Sequence, residues 1–169
     1  MKATLPILLA AAFLPFAAEC AQGQPPIVDV RFDRPGHFTD FRVDRFRGAR
    51  AAGRLAGELR EWIEHEATPR LPAGSRLTVT VTDVDMAGEF EPWRSTGLSD
   101  VRVIREIYPS RVNLAFTLAD ASGEVVKEGE RTLVSAMLSS DPLRGGDGPL
   151  RYEKALLRDW LVREFPAAR

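Results

Sequence analysis

Three carboxylates, Asp83, Asp85 and Glu89, follow the alternating segment Leu-Thr-Val-Thr-Val-Thr, which is typical of a half-buried strand. If the alternation continues, both aspartates fall on the apolar face; if the strand bulges, Val84 and Met86 turn inward instead. Both alternatives place the acids near the rim of a sheet. Two nearby carboxylates could act as general acid and base, for example in glycoside hydrolysis, or supply oxygen ligands to calcium.

The calcium alternative is limited by the spacing of the ligands. Asp83, Asp85 and Gly88 match three positions of an EF-hand loop, but Arg94 stands where the bidentate glutamate belongs, which excludes that loop. A looser calcium site from Asp83, Asp85 and Glu89 stays open beside the structural alternative of hydrogen-bonded acids at a strand end. We otherwise predict no metal and no cofactor.

Other enzyme classes lack their motifs. The sequence has no Gly-x-Ser-x-Gly elbow and no phosphate-binding glycine motif, and His65-Glu66 is not followed by a second histidine at helical spacing. Two histidines and a single cysteine supply a zinc or copper site poorly. A formal net charge of −1 gives no long-range attraction to nucleic acid, so we predict no nucleic-acid partner.

Residues 1–20 have the pattern of a secretion signal, with Lys2 before an apolar stretch that is too short and proline-broken to span a bilayer. We therefore expect a cleaved signal peptide, a periplasmic location and a single domain over 21–169. Glu19 stands directly before Cys20, where a lipoprotein signal has a small residue, so a lipid anchor is disfavoured. No other long apolar run predicts a transmembrane segment.

Two further features are candidate binding surfaces. Arg50 and Arg54 lie on one side of a predicted helix and could bind an anionic partner; the alternative is a solvated helix face. Trp93 lies in a long loop and could be an exposed anchor for a partner; the alternative is that it closes one end of the core.

The order of the elements predicts an α+β fold, a two-layer sandwich with an antiparallel-rich sheet of four to five strands and two helices packed on one face. A first strand, a helix that ends at Ala67 and the acid-terminated strand come first. A strand, a hairpin and a closing helix after Pro149 complete the chain. The predicted strands are 27–33, 77–86, 100–107, 112–118 and 124–136. The first helix is predicted to begin between residues 43 and 50, and the second at residue 149.

Four segments carry a resemblance to a known family: Val81–Glu89, with its phrase Asp-Val-Asp-Met-Ala-Gly-Glu, Phe38–Asp40, Asp100–Val103 and Tyr152–Trp160. In these segments the chain resembles the bacterial family called domain of unknown function 3016. The resemblance implies an exported single-domain protein of uncharacterised role, and it supplies no catalytic residues.

These observations favour a non-enzymatic periplasmic domain, a binding or accessory domain for an envelope component or a protein partner. The motivation is the lack of catalytic motifs together with the acidic rim, the tryptophan loop and the arginine-bearing helix. The alternative is a small periplasmic enzyme or calcium-binding protein that uses Asp83, Asp85 and Glu89.

Overall fold

The computed structural model describes residues 24–40, 48–91, 93, 102–135 and 148–166, with only the backbone at 48–50. The predicted signal peptide, residues 1–20, lies outside these ranges. The helices and strands are β1 (Ile27–Phe32), α1 (Gly48–Ala67), β2 (Arg76–Asp85), β3 (Glu89–Phe90), β4 (Arg102–Val103), β5 (Arg111–Ala119), β6 (Val125–Val134) and α2 (Arg151–Glu164).

The main sheet has the strand order β1-β2-β5-β6. β1 runs parallel to β2, and the other two pairs are antiparallel, with Val79 opposite Phe116 in the central pair. Alternate residues of β2 and β5 are buried on one face, as the period of two predicts. The predicted α+β class with an antiparallel-rich sheet is confirmed.

The bulge in β2 resolves the ambiguity at the acidic segment. The pairing with β5 shifts between Val81 and Asp83, so the side chains after this point change faces. Val84 is fully buried and Met86 is 6% exposed. Burial of these two apolar side chains therefore decides the register, and the carboxylates turn away from the core.

Both helices cover the same face of the sheet. In α1 the buried residues Leu55, Leu59 and Ile63 recur at helical spacing. In α2 the indole of Trp160 packs edge-on against Phe116 of β5, with ring centroids 5.6 Å apart, and Phe165 contacts both rings. The sandwich core thus lies between one sheet face and two helices.

The predicted strand over 100–107 is wrong for most of its length. Within the described residues only Arg102–Val103 is extended, and it pairs with Glu89–Phe90 in a separate two-stranded sheet. β1 and β5 already occupy both edges of β2, so this segment has no edge of that strand to join. Ile107, near the end of the predicted strand, is 68% exposed.

Candidate ligand-binding site

The turn after β2, Met86-Ala87-Gly88, is held by backbone hydrogen bonds to distant parts of the chain. The Met86 N–H donates to Asp40 Oδ2 at 2.8 Å, and the Ala87 N–H donates to Glu153 Oε1 at 2.9 Å. The Gly88 N–H donates to the carbonyl of Tyr108 at 3.0 Å. Three consecutive donors are therefore satisfied from three different segments, which fixes the position of the turn.

Gly88 is required by both the conformation and the space of this turn. Its φ of +85° lies in the left-handed region, where a side chain costs free energy. A Cβ at this position would meet Val103 O at 2.7 Å and Ile104 Cδ1 at 2.6 Å. The backbone of β4 thus approaches the turn as closely as a glycine allows.

Arg102 connects the same turn to Asp40. Its guanidinium donates to both carboxylate oxygens of Asp40, at 2.9 and 2.8 Å, and to the carbonyls of Met86 and Gly88, at 3.2 and 2.6 Å. It also lies over the ring of Phe90, 4.8 Å from the ring centroid. This half-buried arginine is therefore a structural clamp whose charge Asp40 neutralises.

Glu153 lies beneath the turn and is fully buried in the first turn of α2. Its Oε1 accepts hydrogen bonds from the Ala87 N–H and from Ser110 Oγ, both at 2.9 Å, whereas Oε2 has no partner within the described residues. Burial raises the pKa of Glu153, although both hydrogen bonds and the charge of Arg102 act against this rise. The buried carboxylate of Glu153 therefore holds the turn in place through its hydrogen bond with the Ala87 N–H.

The sequence reasoning did not identify Glu153. The signal was present, because residue 153 shares a helix face with Leu157 and Trp160, four and seven residues later. An acid on the apolar face of an amphipathic helix is a buried polar group that needs partners. Here the partners are an N–H and a hydroxyl contributed by two other segments.

A cavity of about 440 Å³ lies beside this turn, between the first half of α1, the turn itself, β4 and the start of α2. We call it the arginine pocket. Its lining residues are Ala51, Arg54, Leu55, Met86, Ala87, Phe90, Arg102, Ile104, Gly148, Pro149 and Arg151.

Two of the three arginines that line the pocket have no carboxylate partner among the residues that the structure describes. Arg54 is exposed and makes no salt bridge within the described ranges. Arg151 contacts the aromatic side chain of Tyr152, with 3.1 Å between its Nη2 and the phenol oxygen. The nearby carboxylate of Glu58 is held by Lys154 at 2.7 Å. The pocket therefore combines apolar walls with uncompensated positive charge.

The three acids of the predicted cluster have separate surroundings and partners. Asp83 accepts hydrogen bonds from the backbone N–H and the hydroxyl of Thr39, at 2.8 and 2.9 Å. Asp85 is half-buried, and its pKa is raised by burial and by the negative charge of Asp40. Glu89 is exposed and accepts the N–H of Phe90. Over the described part of the chain, no group of three acidic, histidine or cysteine side chains could hold a metal ion.

The other predicted binding residues lie apart from this cluster. Trp93 is 71% exposed, which is the arrangement expected of a surface anchor and not of a residue that closes the core. Arg54 lines the arginine pocket. The side chain of Arg50 lies outside the described part of the structure. Among the predicted residues whose side chains the structure describes, Arg54 is the one that lines the arginine pocket.

A second cavity, of about 330 Å³, lies against β5 and β6. Its lining includes Thr82, Asn113 and Thr132. Arg131, which also lines it, is paired with Glu164 at 3.0 Å. The described lining of this cavity contains no arginine or lysine without an acidic partner, so we take the arginine pocket as the candidate site.

The fold and the pocket define the chain as a small α+β domain with a ligand-sized cavity at one end of its core. The chain belongs to the family described as "Protein of unknown function (DUF3016)", whose sequence profile matches residues 26–163. The four segments that carry the resemblance include Asp40, Arg102, Glu153 and the Met86–Gly88 turn, and the structure brings these residues together. No curated protein matches the chain.

Two solved structures resemble the chain at a distance. One is the PelC dodecamer from Paraburkholderia phytofirmans, at 11% identity and a TM-score of 0.44, covering 86% of this chain and 89% of that one. The other is a point variant of that dodecamer, at 12% identity and a TM-score of 0.40, covering 87% and 88%. At these values neither similarity bears on function. Among the described residues, no helix is long and apolar enough to cross a membrane.

Proposed function

We propose that this protein is an exported, non-enzymatic binding domain that holds an envelope component in the arginine pocket. One observation carries the proposal: a cavity of about 440 Å³ has apolar walls and two arginines, Arg54 and Arg151, that have no carboxylate partner among the described residues. Pockets of this size, with a few polar groups on apolar walls, are typical of small-ligand sites.

The hydrogen bonding of the nearby acids supports binding over catalysis. Asp40 accepts the Met86 N–H and pairs with Arg102, Asp83 accepts two bonds from Thr39, and Glu153 accepts the Ala87 N–H. A general acid or base must instead reach a substrate atom. Asp40 and Glu153 hold the turn that lines the pocket, and contacts with a ligand are left to the arginines.

The sequence supports export, because residues 1–20 combine a basic start with a short apolar stretch. A periplasmic location would bring the pocket to envelope components. Trp93, which is 71% exposed, adds a second surface on which the domain could contact a protein partner.

Thermal unfolding with a panel of envelope lipids and glycans tests the binding proposal. A ligand at about 100 times its Kd should add about 2.7 kcal/mol to the free energy of unfolding, and so raise Tm. Ala51→Phe should fill the pocket and abolish the rise. Ala155→Phe, at another half-buried helical alanine outside this pocket, should retain it.

Two results would overturn the proposal: no panel member raises Tm, or the two phenylalanine variants respond alike. Export has its own test, since the wild-type chain should be recovered from the periplasmic fraction of an expressing cell. A variant without residues 2–20 should stay in the cytoplasm; recovery of both chains from the cytoplasm would refute export.

A further inference from the structure

We infer that the ligand of the arginine pocket is a single-chain amphipathic anion, an apolar chain that carries one carboxylate or phosphate group. This inference rests on the proposed function and names the chemical class of the ligand. It follows from the side chains that line the pocket and from the charges that remain after the ion pairs are counted.

The walls select for an apolar chain and against a glycan. Among the described residues that line the pocket, every polar side chain is an arginine, so these side chains offer hydrogen-bond donors and no acceptors. Sugar hydroxyls are donors as well as acceptors, and buried donors without acceptors oppose binding. Leu55, Met86 and Phe90 instead provide apolar contacts, and the unbranched Met86 adapts to a flexible chain.

The charges of the pocket select for an anion. Asp40 neutralises Arg102, and Lys154 neutralises Glu58 at the edge of the pocket. Arg54 and Arg151 remain without a carboxylate in the described part of the molecule. The guanidinium group has fixed, forked donors that match the oxygens of a carboxylate or a phosphate. The head group should therefore lie against these two side chains.

The size of the pocket indicates one chain. Its volume of about 440 Å³ lies toward the lower end of the range for small-molecule sites, about 300–1,000 Å³. A single chain can fill such a cavity, whereas a second chain would have to remain in water. A lysolipid or a fatty acid thus fits the pocket better than a two-chain lipid.

Calorimetric titration of the purified protein with decanoate, undecanoate and dodecanoate, each below its aggregation concentration, tests the apolar part. Each added methylene should tighten Kd about fourfold while the pocket accommodates it, because burial of one methylene contributes about that factor. Acetate and inorganic phosphate alone should not bind measurably.

The head group is tested with dodecyl phosphate and dodecyltrimethylammonium. Both dodecanoate and dodecyl phosphate should bind at least tenfold more tightly than the cation. The ratio of the two anions shows which head group is preferred. Equal affinity for the cation and the anions would overturn the inference.

A matched pair of double variants locates the charge contact. Arg54→Gln with Arg151→Gln should weaken dodecanoate binding at least tenfold. Arg76→Gln with Arg163→Gln removes the same charge from two exposed arginines outside this pocket and should leave Kd within about twofold. Equal losses in the two double variants would show only nonspecific attraction and would refute the site.

The inference and the proposed function fail in different ways. If dodecanoate does not bind but another member of the panel does, and Ala51→Phe abolishes that binding, the pocket is a ligand site and the ligand class is wrong. If nothing binds in a manner sensitive to Ala51→Phe, the proposed function itself is wrong. Thermal unfolding of each variant alone shows that the fold persists.

Discussion

Replacement of the buried acid Glu153 by leucine should reveal how the turn beside the pocket is stabilised. Leucine is close in size and apolar, so the change removes the carboxylate with little change in packing. It leaves the Ala87 N–H and the Ser110 hydroxyl without their acceptor, and both residues are almost fully buried. We expect a net loss of stability, because two donors are orphaned for one carboxylate removed.

The magnitude follows from the count of unmade hydrogen bonds. Each buried, unsatisfied donor costs about 1–3 kcal/mol, so the two together cost about 2–6 kcal/mol. Removal of a buried carboxylate whose Oε2 has no partner among the described residues offsets about 1–3 kcal/mol of this cost. From the middles of the two ranges, Glu153→Leu should therefore lower the free energy of unfolding by about 2 kcal/mol. Glu153→Gln, which retains an acceptor oxygen, should cost less than about 1 kcal/mol.

Urea unfolding of the single and double variants with Ser110→Ala separates this mechanism from a packing effect. Alone, Ser110→Ala should cost about 1.5–3 kcal/mol, the usual contribution of a hydrogen bond to a charged group. In the Glu153→Leu background it should be neutral or stabilising, because it deletes an orphaned hydroxyl. Additive losses in the double variant would refute the bracing role of Glu153.

The raised pKa of Glu153 adds a pH dependence to the same comparison. An acid with a raised pKa in the folded state stabilises the fold fully below its unfolded pKa, and this stabilisation is lost as pH rises through the folded pKa. Arg102 is the charged group that faces it and opposes this effect. Relative to the wild type, Glu153→Gln should therefore become more stable as pH rises from about 4. A difference in stability between the variant and the wild type that stays constant across this pH range would contradict the prediction.

Three further predictions concern the frame of the site, each measured by urea or thermal unfolding. Gly88→Ala should lower the free energy of unfolding by more than about 2 kcal/mol, because a Cβ there would meet Val103 O at 2.7 Å. Gly123 has a similar φ of +89° and open space around it, so Gly123→Ala should lower the free energy of unfolding by only about 1–2 kcal/mol. Equal losses in the two variants would contradict this prediction. Glu164→Gln should cost about 1–2 kcal/mol at pH 7 and little at pH 3. Burial opposes the effect, but hydrogen bonds from Arg131 and Lys127 lower the pKa of Glu164, so its contribution is present above the unfolded pKa and lost as pH falls. A loss that persists at pH 3 would refute this reasoning. Asp85→Asn should leave Tm at pH 7 unchanged or higher, because it removes repulsion from Asp40. Asp83→Asn should lower the free energy of unfolding by about 1 kcal/mol, because it weakens the hydrogen bonds with Thr39. A greater loss of stability in Asp85→Asn than in Asp83→Asn would contradict these roles.

The periodicity of apolar residues predicted most of the fold, because the residues that a helix or strand buries recur at the period of that element. Leu55, Leu59 and Ile63 predicted the buried stripe of α1, and the Thr-Val alternation predicted β2. The strand predicted over 100–107 was wrong for most of its length, because strand propensity does not show which partner a segment pairs with; here Arg102–Val103 pairs with Glu89–Phe90 alone among the described residues.

The site was less predictable, because its contacts join residues far apart in the sequence. The sequence marked the acidic segment as a candidate, but the contacts of its acids depend on distant partners. Asp83 binds Thr39, 44 residues away, and Asp40 pairs with Arg102, 62 residues away. The pocket itself is a space between side chains, and sequence spacing alone does not give the volume between elements.

The Met86–Gly88 turn makes assembly of the site depend on nearly the whole chain. Its anchors at Asp40 and Glu153 are 46 and 66 residues away in sequence, so the loops between them must close before the turn has its native shape. A chain that lacks α2 retains the lining residues of α1 and of the Met86–Gly88 turn but loses the Glu153 carboxylate that holds the turn in place. Ligand binding would then report completion of folding, and a partly folded chain would hold no ligand.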